Sequence, residues 1–233
     1  MSKPVNKFKI NPLWLWQAPQ LCLLIFLALV TMAAFLYPGG TLHDKDMAVY
    51  SFSNNYLSDM GRTMAINGDA NFFASSFFLL ALLIAGSVII LFFIHARPLF
   101  SDNKTMRSLS SVGTIMGIMG CLCLIGVGFT PVNLYREAHI LSANWVFRFF
   151  FIASLCYTLT IFLKKEMPNR LAIGYLVFSL FIISYILINE LGPSPSSSPK
   201  ILTIKVMAQK IILLCFISTI YLQSVGIKKI YGN

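Results

Sequence analysis

Three residues have side chains that could carry acid–base or metal chemistry in an otherwise apolar sequence. His43 and Asp59 fall in a long polar segment between two apolar runs, and His139 stands at the start of a later apolar run. Imidazole and carboxylate groups act as general acids or bases and bind metal ions. Their spacing matches no diagnostic metal motif, so an interfacial or helix-capping histidine is the competing interpretation.

Two cations, Arg148 and Lys210, lie inside apolar stretches, where a charge is costly unless it is paired or faces a wet cavity. Glu190, at the end of another apolar stretch, is the candidate partner. One alternative is an internal ion pair that ties helices together. The other is a polar pocket whose two cations bind a phosphate or carboxylate group. Polar residues at the same depth complete the predicted ligand-binding set: Asn144 and Asn71.

The composition shows why charges inside apolar stretches are notable here. Of the 233 residues, 57% are hydrophobic and 11% are charged, whereas a soluble domain carries about 25% charged residues. This deficit excludes an ordinary water-soluble enzyme, and the high hydrophobicity excludes a disordered chain. The five cysteines all fall in apolar runs and are interpreted as small apolar residues rather than as metal ligands.

Six apolar segments are long enough to cross a bilayer, which requires about 20 residues each. They cover residues 19–37, 71–95, 109–129, 140–163, 171–189 and 203–225. Proline and glycine punctuate the breaks between them, and no stretch is polar enough for a separate soluble domain. The sequence therefore predicts an all-α integral membrane protein, with one six-helix domain over residues 1–233.

The basic residues predict which way the chain faces. Eleven of the 18 Lys and Arg residues fall on the side of the termini, including Lys3, Lys7 and Lys9, and five fall on the other side. Because cytoplasmic loops carry the excess of cations, both termini are predicted to be cytoplasmic. The net charge of +10 thus reflects topology and gives no reason to expect nucleic acid as a partner.

Two further patterns bear on function and assembly. The outer loop 38–70 is long for a compact bundle, and long loops are either functional or disordered connectors. Gly113, Gly117 and Gly120 form a small-residue face on the third helix. Such a face lets helices approach closely, either within the bundle or in a homo-oligomer.

Two short stretches resemble a known membrane family. They are Leu57-Ser58-Asp59-Met60-Gly61, before a Phe-rich second helix, and Gly126-Val127-Gly128-Phe129-Thr130-Pro131, followed by His139. The chain resembles the six-helix prokaryotic family called domain of unknown function 998. That family is itself similar to damage-regulated autophagy modulators and to membrane proteins of GPI-anchor lipid remodelling. The resemblance implies a site of Ser58, Asp59, Gly61, Pro131 and His139, brings no established reaction, and leaves the cofactor unknown. The expected location is the bacterial cytoplasmic membrane.

These observations lead to three functional hypotheses. The first is an outward-facing polar pocket that binds membrane lipid or another amphiphile, with Arg148 and Lys210 holding the anionic group. The second is an intramembrane hydrolase or lipid-remodelling enzyme in which Asp59 and His139 are catalytic, or bind a metal ion together with His43. The third is a non-catalytic scaffold subunit that associates through the glycine face.

Overall fold

Six long helices account for most of the chain in the computed structural model, which describes residues 10–232. They are α1 (Ala18–Leu36), α2 (Phe72–Ala96), α3 (Lys104–Phe129), α4 (Arg136–Leu163), α5 (Asn169–Leu191) and α6 (Pro199–Tyr231). A π-helical turn leads into α1, and the described residues contain no strand. All six helices are long and apolar enough to cross a membrane, as the sequence predicts.

The helix ends extend further into polar sequence than the apolar segments do. α3 begins at Lys104, five residues before the predicted start at Leu109, because the Asn103 side chain accepts a hydrogen bond from Met106 N at 2.9 Å. α6 runs from Pro199 to Tyr231 rather than from 203 to 225, with Ser198 as its N-cap. Hydropathy marks the apolar part of a helix, whereas capping residues determine where it begins.

The helices form a ring in chain order. Each one packs against the next along the chain, and α6 returns to pack against α1. The seam between α1 and α6 is the most sparsely packed of these helix pairs in the described part of the chain. The ring therefore has one side that is less firmly closed than the others.

Hydrogen bonds between distant segments define the two ends of the ring. At the end we call the terminal end, Gln20 at the start of α1 donates to Ser224 Oγ near the end of α6 at 3.2 Å. The opposite end, called the loop end, carries residues 38–70 and the connections before α4 and α6. There His43 Nε2 lies 2.8 Å from the carbonyl oxygen of Pro195. Lys3, Lys7 and Lys9, which contribute to the predicted topology, lie outside the described residues.

The glycine face of α3 points into the bundle. A Cβ atom on Gly117 would lie 2.5 Å from the Phe93 ring of α2, and one on Gly120 would lie 3.1 Å from the Phe150 ring of α4. Gly113 packs against the side chains of Tyr157 and Cys156. This face is therefore covered by helices of the same chain, which is the packing interpretation of the pattern.

Candidate functional site

Residues 38–70, which we call the cap, form a folded segment rather than an extended connector. Backbone hydrogen bonds join Gly40 N to Met47 O at 2.7 Å and Asn71 N to Thr63 O at 2.9 Å. Gly40 has φ +83°, and a Cβ atom there would collide with the backbone at Ile66 and Asn67. A larger residue would both strain this turn and push apart two segments of the cap.

Asn55 is the central hydrogen-bonding residue of the cap. Its side chain is fully buried, and Nδ2 donates to Gly40 O at 2.9 Å and to Asp59 Oδ2 at 3.3 Å. Asn55 Oδ1 accepts from Ser51 N at 2.9 Å. One amide side chain thus connects three separate parts of the cap, so that its position fixes the shape of the whole segment.

Asp59 is buried in the short 3-10 helix Leu57–Gly61, which closes the loop end of the ring. Its Oδ2 atom accepts a second hydrogen bond, from the backbone N–H of Tyr56 at 2.8 Å. Burial raises the pKa of this carboxyl above its ordinary value, while the hydrogen bond from Asn55 and the charge of Arg62 oppose the shift. The two hydrogen bonds show what Asp59 does locally: it caps the turn.

Lys210 of α6 is a buried cation without a carboxylate partner in the described part of the chain. Its Nζ donates to the backbone oxygen of Asn55 at 2.7 Å, and no Asp or Glu oxygen comes within 4.0 Å. Nζ also lies 5.4 Å from the ring centroid of Tyr50 and 4.9 Å from that of Phe52. An ammonium group has three N–H donors, and among the described residues only one of them has a hydrogen-bond acceptor, the Asn55 carbonyl; the two ring faces offer weaker cation–π contacts.

A groove of about 480 Å³ opens beside Lys210 at the α1–α6 seam. Its walls are almost entirely apolar, and Lys210 supplies the charge. The other lining residues come from α1 and from the cap: Val30, Thr31, Ala34, Phe35, Val49, Tyr50, Phe52, Leu57 and Met60. This volume is in the range of small-molecule sites, about 300–1,000 Å³.

A second space, the central cavity, lies inside the ring and has a volume of about 130 Å³. Every helix contributes to its wall, and the cap covers it with Leu57 and Ser58. The polar side chains that line it are Ser58 and Gln209. Representative apolar residues, one from each helix in order, are Phe26, Phe78, Val127, Phe150, Ile182 and Phe216.

Arg148 and Glu190 form an ion pair between α4 and α5, with side-chain exposures of 34% and 48%. Arg148 Nη1 also donates to the backbone oxygen of Asn144 at 3.0 Å. Neither partner lines the groove or the central cavity. Of the two alternatives for Arg148, the structure shows the ion pair, and it does not bring Arg148 and Lys210 into one polar pocket.

In the structure, His43, His139 and Asp59 contact different partners rather than one another. His139 Nδ1 lies 2.7 Å from the backbone oxygen of Thr130, whereas His43 contacts the connection before α6. Within residues 10–232, no three His, Cys, Asp or Glu side chains are grouped so that they could hold a metal ion. The predicted His43–His139–Asp59 grouping is therefore not formed.

Asn71, another predicted ligand-binding residue, instead supports the cap. Its Nδ2 atom donates to the backbone oxygens of Met60 at 2.9 Å and of Arg62 at 2.8 Å. Its Oδ1 atom is buried and has no hydrogen-bond partner among the described residues. Ser58 is the predicted cap residue that does reach a cavity, because it lines the central one.

Sequence reasoning missed Asn55, Gln209, Tyr50 and Phe52 as parts of the site. Gln209 Oε1 accepts a hydrogen bond from Leu57 N at 2.9 Å and so joins α6 to the cap. The sequence does contain an indication of Gln209, because it is an amide directly beside Lys210 in an apolar run. The roles of Tyr50 and Phe52 depend on how the cap folds, which no local pattern indicates.

The fold defines a class, a bundle of six candidate membrane-spanning helices with a folded cap at one end. Comparison of the chain with known protein families, with curated proteins and with solved structures finds no match. The functional conclusion therefore depends on the chain's own geometry.

Proposed function

We propose that this chain is a multi-pass membrane protein, with both termini in the cytoplasm, that binds an anionic amphiphile in the groove beside Lys210. The carboxylate or phosphate head of the ligand contacts the Lys210 ammonium, and its apolar part lies along α1. This retains the lipid-binding hypothesis from the sequence but assigns the binding cation to Lys210 alone.

The observation that carries this proposal is the state of Lys210. A buried cation without a counter-charge in contact is expensive, because the ammonium loses its hydration and gains little in return. Here the ammonium lines an open groove, and its contacts are one carbonyl oxygen and two aromatic rings. Asp59 attracts Lys210 electrostatically but does not come within 4.0 Å of it, so an anionic headgroup would supply the contacting charge and the hydrogen-bond acceptors that the ammonium lacks.

The walls of the groove support an amphiphile rather than a small polar anion. Phe35 on α1 is 81% exposed, and Val49 and Phe52 of the cap are also exposed. Large apolar side chains that line an open groove favour a ligand with a hydrocarbon portion. The sparse packing of α1 against α6 supports entry from the side of the bundle, where lipid would surround a membrane protein.

The test is Lys210→Met, which removes the charge and keeps an unbranched side chain. Lys205→Met is the matched control, because Lys205 is buried on the same helix and donates to Asn189 O at 3.3 Å but does not line the groove. Retained lipid would be identified by mass spectrometry of protein purified in mild detergent. We expect Lys210→Met to lose anionic lipid about tenfold relative to the control, the equivalent of one hydrogen-bonded charge contact.

Equal retention of anionic lipid by both variants would contradict the proposal. The two proteins should also have similar thermal stability, so that the loss of lipid is not caused by unfolding. A loss of zwitterionic and anionic lipid to the same extent would argue against recognition of the charge.

A further inference from the structure

Leu57 borders both the groove and the central cavity. Its backbone N–H donates to Gln209 Oε1, and Gln209 lines the central cavity one residue before Lys210. The two spaces therefore meet at an apolar residue that belongs to the cap and lies near a buried ammonium group.

The central cavity has the chemistry of a site for a hydrocarbon tail. Apart from Ser58, Gln209 and the Cys22 thiol, its lining is aliphatic and aromatic, and the Gln209 oxygen already accepts a hydrogen bond. An engineered apolar cavity of about 150 Å³ stays free of water and takes up benzene. A cavity of about 130 Å³ therefore fits a few carbon atoms of a chain and offers no charge to a headgroup.

We propose that the amphiphile held by Lys210 has a single chain, and that the end of this chain passes Leu57 into the central cavity. Its head is a carboxylate or a phosphate monoester, which share the negative charge that Lys210 requires. This inference rests on the proposed function, because Lys210 fixes the position of the head. A lipid with two chains would have to leave its second chain in the open groove.

The experiment labels the protein in detergent with two photoreactive ligands. One is a long-chain fatty acid with a diazirine at its terminal carbon, and the other carries the diazirine next to the carboxylate. Mass spectrometry of the peptides locates each label. We expect the terminal probe to label the cavity wall, including Phe150, Ile182 and Phe216, and the carboxylate-end probe to label Tyr50 and Phe52.

Ala143→Leu tests the cavity directly, because Ala143 lines it and a leucine would occupy part of its volume. Ala138→Leu is the matched control on the same helix, since Ala138 is exposed. We expect Ala143→Leu to lose the terminal label from the cavity wall while retaining the carboxylate-end label, and Ala138→Leu to keep both.

The outcomes separate this inference from the proposed function. If Lys210→Met loses the carboxylate-end label but the terminal probe labels only outward residues such as Phe35, the groove binds amphiphile and the tail site is wrong. If neither probe labels the groove, the proposed function fails. Equal labelling of the cavity by a two-chain phosphatidic acid probe would overturn the restriction to one chain. Unlabelled dodecanoate and dodecyl phosphate are added as competitors of the carboxylate-end probe. The competitor that reduces the label more strongly shows whether the site prefers a carboxylate or a phosphate head.

Discussion

Asp59, Lys210 and Arg148 show three ways in which one chain accommodates charge away from bulk water. Asp59 accepts hydrogen bonds from Asn55 and from the backbone of Tyr56. Arg148 has a carboxylate partner in Glu190. Lys210 has a carbonyl oxygen and two ring faces, but no partner of opposite charge within 4.0 Å among the described residues. The incomplete environment of Lys210 is the reason for placing a ligand there.

Asp59 should make the stability of the protein depend on pH in a specific direction. Because burial raises its pKa in the folded state, the folded protein holds this proton more tightly than the unfolded chain does. Its contribution to stability is therefore complete below the unfolded pKa, near 4, and is lost as the pH rises through the folded pKa. Asp59→Asn keeps an acceptor for Tyr56 N and cannot ionise.

The measurement is the melting temperature of the wild type and of Asp59→Asn as the pH is raised from below the unfolded pKa, near 4, to above the folded pKa. We expect the wild type to lose stability relative to the variant as the pH increases. Asp69→Asn is the control, because Asp69 is exposed and also accepts a side-chain hydrogen bond, from Asn67. A difference between wild type and Asp59→Asn that does not vary with pH would contradict the assigned shift.

The Arg148–Glu190 pair should behave as a coupled unit. Glu190→Gln leaves Arg148 without its counter-charge, whereas Arg148→Gln together with Glu190→Gln removes both charges. Since both side chains are partly exposed, we expect a modest coupling free energy, about 1 kcal/mol, with the double variant more stable than Glu190→Gln alone. Thermal unfolding of the wild type, Glu190→Gln, Arg148→Gln and the double variant gives this value. Additive effects would show that the pair contributes no coupling.

At the scale of the helices, the fit of α3 against α2 depends on Gly117. A Cβ atom there would lie 2.5 Å from the Phe93 ring, which is itself buried among neighbouring side chains. We expect Gly117→Ala to destabilise the protein by about 1–3 kcal/mol through overpacking, despite the higher helix propensity of alanine.

Ile115→Ala is the control for this variant, because Ile115 is on the same helix and is 55% exposed. Thermal unfolding in detergent measures stability, and size-exclusion chromatography with light scattering measures the association state. Because Gly117 contacts α2 of its own chain, the variant should unfold more readily without changing its association state. A change in association state at unchanged stability would instead favour an interface between two copies.

The helices could be predicted from the sequence because their signal is local. An apolar run of about twenty residues indicates a helix whatever it packs against, and only the ends shift where Asn103 and Ser198 act as caps. The site depends on contacts between residues far apart in the chain, such as Lys210 with Asn55. No local spacing indicates such a contact. The sequence therefore identified Lys210 as unusual but grouped it with Arg148, which instead pairs with Glu190.

For the molecule as a whole, the bundle separates charge between its ends. In the described part of the chain, the terminal end holds an excess of cations: Arg97, Lys104, Arg107, Lys164, Lys165, Arg170, Lys228 and Lys229. The acids of that end are Asp102, which pairs with Lys164 at 2.7 Å, and Glu166. Positive loops remain on the cytoplasmic side of membrane proteins, so this separation supports the proposed orientation.

Single added cysteines test this orientation in intact cells. Ser196→Cys places a thiol in the exposed connection before α6, and Lys165→Cys places one in the exposed connection between α4 and α5. The native cysteines all lie within helices, so the unmodified chain serves as the background. A membrane-impermeant maleimide should label Ser196→Cys in intact cells but label Lys165→Cys only after permeabilisation. The reverse pattern would invert the topology and place Lys210 in the cytoplasmic half, whereas labelling of both in intact cells would contradict membrane insertion.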